Sequence, residues 1–250
     1  MNTKINSSTK RYGLIGKNIA YSFSPNYFAK KFKNLRIIAA YDIFDLDKIA
    51  AIEKVFKIEH LNGLNVTIPY KEKVIPYLDN LSNPAKEIGA VNTIQFENGL
   101  KIGHNTDYIG FMDSIKPLLT PHHKKALILG TGGANKAVQY ALKQLDLDCA
   151  VVSRTKDKAD YTYNDLDKNI ISEHQVIINT TPVGTHPDIQ DMPNLPTQHL
   201  NSNHLVYDLI YNPEITALLK AAKEKKAKIK NGLEMLVLQA EAAWEIWNKQ

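Results

Sequence analysis

Alternation constrains this chain more than any other feature. Short apolar runs of strand length take turns with amphipathic stretches of helical spacing. Strands separated by helices lie parallel to their neighbours, in a sheet that the helices cover. In the second half the spacing predicts strands at 126–129, 149–153, 176–179, 205–208 and 228–230, with helices at 134–145 and 214–226. In the first half it predicts strands at 12–15, 36–43 and 61–68 and helices at 25–32 and 46–56. Short helices are expected at 70–78 and 83–88. Residues 90–96 and 100–104 flank Glu97-Asn98-Gly99, whose turn chemistry favours a hairpin. A helix at 107–115 follows. The polar run 120–125 then breaks the pattern and places a domain boundary near it. Residues 185–203, rich in Pro, Asn, Asp and Gln, read as loop, and 234–248 as a further helix.

The 250 residues are enough for a large core or two smaller ones. Hydrophobic residues make up 44% and charged residues 23%, which excludes a disordered or fibrous chain. Lys+Arg number 31 against 26 Asp+Glu, a net charge of +5. The excess is spread too thinly for the basic footprint that nucleic acid requires. Only Arg11, Arg36 and Arg154 are arginines, and only arginine offers a planar fork for phosphate. The one cysteine, Cys149, excludes an intramolecular disulfide and a multi-cysteine zinc site. The eight histidines are scattered, so no metal is expected. No apolar stretch approaches the ~18 residues of a membrane span. A soluble, cytoplasmic protein with no membrane partner is expected.

Gly130-Thr131-Gly132-Gly133-Ala134 lies between an expected strand and an expected helix. Glycines there let the backbone turn tightly and approach a pyrophosphate, and the helix start supplies unpaired N–H groups. The third position of the strict Rossmann pattern, by spacing, is Asn135. Ala134 and Ala137 still permit close packing of helix on sheet. The next strand ends in Ser153-Arg154-Thr155. An acid there would bind the ribose of NAD and repel a 2′-phosphate, whereas a guanidinium binds that phosphate with paired hydrogen bonds. NADP is therefore favoured over NAD. Asp157 is accounted for as a helix cap.

The first half holds polar clusters that a core would not choose. Ser22 and Ser24 precede a helix, where Ser24 before Pro25 also suits an N-cap. Asn65 and Thr67 alternate at the end of a strand and so share one face, and Lys71 follows Pro69. Gly89-Ala90-Val91-Asn92-Thr93 and Gly103-His104-Asn105-Thr106-Asp107 each end an apolar segment in Asn-Thr. Each cluster alone suits a capped turn as well as a site. Their number, with a lone Lys and Asp, favours a small polyhydroxylated ligand.

These strings resemble the shikimate dehydrogenase family over nearly the whole chain. The match is carried by Ser22-x-Ser24, Asn65-Val-Thr67-x-Pro-x-Lys71, Gly89-Ala-x-Asn92-Thr, Asn105-Thr106-Asp107 and Gly130-x-Gly-Gly-Ala134. Ser153-Arg154-Thr155, Asn179-Thr-Thr181-Pro-x-Gly184, Asp208-x-x-Tyr211-x-Pro213 and Gly232-x-x-Met235-Leu-x-x-Gln239 complete it. The resemblance implies an α/β protein of two domains. One is an N-terminal α/β substrate-binding and catalytic domain, 1–107 plus 232–250. The other is a Rossmann-like NADP-binding domain, 108–231, from which the last helix returns to the first domain.

The implied activity is reversible, NADPH-dependent reduction of 3-dehydroshikimate to shikimate, by a monomer or homodimer. Lys71 and Asp107 would be the catalytic pair. Ser22, Ser24, Asn65, Thr67, Asn92, Tyr211 and Gln239 would line the substrate pocket, the two serines suiting shikimate better than bulkier quinate. Gly130, Gly132, Gly133, Ala134, Arg154, Thr155 and Thr181 would hold NADP, with Leu209, Gly232 and Met235 near the nicotinamide. Ser153 and Lys158 stand where the family often has Asn and Arg. Hydride reaching a ketone leaves a developing alkoxide, which needs a proton and a nearby positive charge. An ammonium supplies both, and a carboxylate partner holds it in place.

Overall fold

The computed structural model describes residues 9–249. The chain forms two compact units: the first ends at Thr106 and takes up Ala240 onward, and the second is Asp107–Gln239. Each contains a six-stranded sheet, so the fold is mixed α/β.

The first unit runs β1 (Lys10–Gly16), α1 (Ser24–Leu35), β2 (Ala39–Asp45), α2 (Ile52–Val55), β3 (Leu61–Val66), β4 (Asn80–Leu81), α3 (Asn83–Ile88), β5 (Thr93–Glu97) and β6 (Leu100–His104). Its strand order is β2-β1-β3-β5-β6-β4. β1 is parallel to β2 and β3, whereas the β5–β6 hairpin adds antiparallel strands beside β3.

Two expectations fail here. Residues 70–78 form turns and one 3₁₀ turn at Ile75–Tyr77 rather than an α-helix, because Pro76 removes a donor that a helix would need. Arg36, expected in a strand, instead closes α1 with φ 55°, in the left-handed region. Its N–H donates to the Lys33 carbonyl at 3.2 Å, and the Ile37 N–H to that of Phe32 at 3.0 Å, a helix stop that usually falls to glycine.

The second unit runs α4 (Asp107–Ile115), β7 (Lys125–Leu129), α5 (Gly133–Gln144), β8 (Asp148–Ser153), β9 (Tyr161–Thr162), α6 (Lys168–Glu173), β10 (Val176–Asn179), β11 (Leu205–Asp208), α7 (Ala217–Glu224), β12 (Lys228–Lys230) and most of α8 (Leu233–Asn248). The order is β12-β11-β10-β7-β8-β9, parallel throughout. Helices cover both faces, so the central strands are apolar without alternation; Leu127, Ile128, Leu129, Val176, Ile177 and Ile178 are all fully buried. Phe111, Val138 and Leu142 fill one side, and Ile171, Leu218 and Leu219 the other. β9 and α6 were not expected.

α8 serves both units in turn. Met235 packs with Phe111 and Tyr207 in the second. Further on, Ala240, Ala243 and Trp247 pack with Tyr12, Phe28 and Phe32 in the first. The Trp247 indole N–H donates to the Ile94 carbonyl at 3.0 Å. No helix among the described residues is long and apolar enough to cross a membrane.

Candidate active site

In the second unit, β7 runs into the glycine turn and α5 starts at Gly133. Gly130 has φ +107°, and a Cβ there would meet Thr181 Cγ2 at 2.7 Å. Both its conformation and the close approach of the loop after β10 therefore require glycine. A side chain at Gly132 or Gly133 would meet no described atom within 4 Å, so the N-terminus of α5 is open. Asn135 is buried, and its Nδ2 donates to the Gly130 carbonyl at 2.5 Å. The departure from the strict glycine pattern thus fastens the turn to its own helix.

Beside this turn lies a cavity of about 470 Å³. Of the residues expected to hold a dinucleotide, Gly130, Gly132, Ser153, Arg154 and Thr181 line it. Gly133 and Ala134 open α5. Thr155 precedes a 3₁₀ turn, Lys156–Lys158, in which Lys158 is exposed and Asp157 makes no cap. Leu209, Gly232 and Met235 do not line the cavity. The Gly232 N–H donates to the Ile210 carbonyl at 3.1 Å, a Cβ on Gly232 would overlap the Leu209 backbone, and Met235 belongs to the core. Tyr163, Met192, Pro193 and Asn194 line the cavity without having been expected. Burial pushes the Tyr163 phenol up, while the Arg154 guanidinium pulls it the other way. These four come from segments with no periodic pattern, so the glycine turn and Arg154 were what advertised the site in the sequence.

In the first unit the polar residues gather at the carboxyl end of β3. Asn65 is buried at 5% exposure, and its Nδ2 donates to the Asn92 carbonyl and to Thr93 Oγ1, both at 3.3 Å. Asn92 Oδ1 accepts from the Thr106 N–H at 2.6 Å, and Asn105 Nδ2 donates to the Ala90 carbonyl at 3.0 Å. The two Asn-Thr strings are therefore tied to each other. Thr67 and Lys71 are half-buried just beyond β3, and the Lys71 carbonyl accepts from the Val91 N–H at 2.8 Å.

Ser22 and Ser24 are half-buried before and at the start of α1. Ser24 does not cap the helix, which has Phe23 in that place and no side-chain cap. Its hydroxyl stands instead beside the Tyr41 phenol, opposing the rise that burial imposes on it. Tyr41, unnoticed in the sequence, donates to Asn65 Oδ1 at 2.7 Å and stacks on Phe28 at 4.6 Å. Burial pushes its phenol far above the usual range.

The remaining expected residues fall in the second unit. Asp107 is the first residue of α4 and is 7% exposed. Tyr211 is half-buried after β11, and Gln239 is buried on α8, donating to the Leu236 carbonyl at 3.1 Å.

A parallel sheet whose central strand ends in a glycine turn, with arginine at the end of the next strand, defines a dinucleotide-binding α/β protein. Residues 14–94 match the family model described as shikimate dehydrogenase substrate binding domain. The chain is 40% identical to a shikimate dehydrogenase (NADP(+)) of Clostridium botulinum, across 94% of this chain and 95% of that one. The crystal structure of shikimate dehydrogenase from Aquifex aeolicus superposes with a TM-score of 0.87 at 39% identity, covering 98% of this chain and 94% of the other. The Thermus thermophilus enzyme in complex with NADP(H) and shikimate gives 0.86 at 32% identity, covering 96% and 94%. The chain belongs to the shikimate dehydrogenase family.

Proposed function

We propose that this protein catalyses the reversible, NADPH-dependent reduction of 3-dehydroshikimate to shikimate, a step of aromatic amino-acid biosynthesis. The observation that carries this is the 40% identity, across 94% of the chain, to an NADP(+) shikimate dehydrogenase. The residues present fit NADP. The glycine turn leaves the α5 N-terminus open for a pyrophosphate, and Arg154 stands exposed on the cavity wall, suited to a 2′-phosphate. Thr181, Ser153, Thr155 and Lys158 complete the proposed cofactor set, with Leu209, Gly232 and Met235 toward the nicotinamide.

When bound, the reduced nicotinamide supplies hydride to a ketone carbon. The task left to the protein is to hold the ring and neutralise the oxygen. Ser22, Ser24, Asn65, Thr67, Asn92, Tyr211 and Gln239 are the proposed partners of the substrate's hydroxyl and carboxylate groups. Lys71 gives its proton to the developing alkoxide, and Asp107 is the carboxylate of the pair. A cytoplasmic location belongs to the proposal and suits a chain with a single cysteine.

Oxidation of NADPH by the purified protein, with 3-dehydroshikimate as substrate, tests the assignment. Lys71→Met is expected to lower kcat by about 10³-fold, the usual scale for removing a general acid, with NADPH affinity retained. A folded wild-type protein that leaves NADPH unoxidised would refute the assignment.

A further inference from the structure

β10 and β11 end side by side, with Asn179 opposite Asp208 in the ladder. Both are fully buried. The described partners of Asp208 are three donors, none of them a cation. Asn179 Nδ2 and the Ile210 N–H reach Oδ1 at 3.0 and 3.1 Å, and the Thr216 hydroxyl reaches Oδ2 at 2.7 Å. The carboxylate thereby fixes the Asn179 amide. With its nitrogen turned to Asp208, its oxygen accepts from the Thr181 N–H at 3.0 Å and the Thr181 hydroxyl at 2.7 Å. The Thr181 oxygen in turn accepts from the Val183 N–H at 3.3 Å. Donation thus runs one way, from Val183 through Thr181 and Asn179 to Asp208.

The start of this chain is the wall of the cavity, which Thr181 and Val183 both line. Its end is a clasp. Ile210 and Thr216 bracket the segment that carries Tyr211, and Thr216 also caps α7 by accepting from the Leu219 N–H at 3.3 Å. A buried carboxylate without a cation costs stability, so its presence calls for a reason. Ionised aspartate accepts on both oxygens and donates on neither, whereas asparagine offers one acceptor oxygen and two donors. The acid accepting from Nδ2 and the Thr181 N–H donating to Oδ1 hold the amide in one direction from its two ends.

We propose that Asp208 is a positioning residue: it sets the direction of this hydrogen-bond chain, so holding Thr181 in the orientation the nucleotide cavity requires, and it closes the 209–216 segment at Ile210 and Thr216. The proposal rests on the assignment of the cavity to NADP(H).

A double-mutant cycle on NADPH affinity, in the full chain, tests it. Asp208→Asn and Thr181→Val are each expected to weaken binding about tenfold, the scale of one lost buried hydrogen bond. The double variant should bind no more weakly than either single one, because both cut the same chain. Asn179→Ala cuts it at a third point while leaving two donors on Asp208, and should show the same non-additivity with Thr181→Val. This second route decides the matter if Asp208→Asn does not fold. Additive losses, or wild-type affinity in a folded Asp208→Asn or Asn179→Ala protein, overturn the proposal alone. A wild-type protein that binds no NADPH overturns the cavity assignment, and the proposal with it.

Discussion

Tyr41 shows how a single hydroxyl can organise a site. It donates to Asn65, has Ser24 beside it and takes its rigidity from Phe28. Replacing Tyr41 by Phe keeps the stacking and leaves Asn65 Oδ1 without its donor. The loss, about 1 kcal/mol, should appear as a roughly fivefold rise in KM for 3-dehydroshikimate with kcat nearly kept; steady-state kinetics at saturating NADPH would read it. Asn65 and Thr67 could be picked out in the sequence because two polar residues interrupt one face of an apolar strand. Tyr41 could not, because an aromatic residue in a strand is what a core also demands. Asp208 carries a pH signature. Burial pushes its carboxyl up to about 6. Its contribution to stability is therefore present below the ordinary carboxylate value and lost as pH rises through about 6. Asp79, Asp165 and Glu173 are held low by hydrogen bonds, so their contributions have the opposite sign and are lost toward acid. Those three are common to wild type and Asp208→Asn. The Tm of the wild type relative to that variant should accordingly fall between pH 4 and pH 7, and a constant difference by calorimetry would contradict the burial effect.

At the scale of elements, hydrophobic period settled most of the architecture. The stretches 83–88, 100–104, 107–115, 176–179, 205–208 and 228–230 coincide with α3, β6, α4, β10, β11 and β12. The failures share a cause, since local signals gave way to backbone limits or to tertiary context. Pro76 broke a stretch that otherwise had helical spacing. Arg36 took a glycine's conformation, which no residue pattern announces. β9 is two residues long and exists by pairing with β8, while α6 is held by its Asp167 cap, which accepts from the Ile170 N–H at 2.8 Å. β3 also carries a packing requirement that its sequence hides. A Cβ at Gly63 would overlap the Trp247 indole. Gly63→Ala should destabilise the first unit by about 2 kcal/mol through overpacking, seen as a lower urea midpoint with an unchanged m-value.

For the molecule as a whole, net charge proved a weak guide and placement a strong one: of the basic residues described, Arg154 is the one that lines the cavity proposed for NADP(H). Whole-chain organisation depends equally on where α8 is spent. A chain ending at Gln239 lacks Ala240, Ala243 and Trp247, and so leaves Tyr12, Phe28 and Phe32 uncovered. Loss of the tryptophan alone is worth about 4 kcal/mol. This truncated protein should keep NADPH binding, which the proposal assigns to the second unit, and lose 3-dehydroshikimate binding; calorimetric titration of each ligand distinguishes the two. The shared helix also sets an order in time. On the ribosome every residue of the second unit is translated before Ala240, so that unit can mature while the first still waits for its missing turns. Nascent chains would therefore expose the Tyr12–Phe28–Phe32 surface to chaperones throughout elongation. The half of the protein made first is the half finished last.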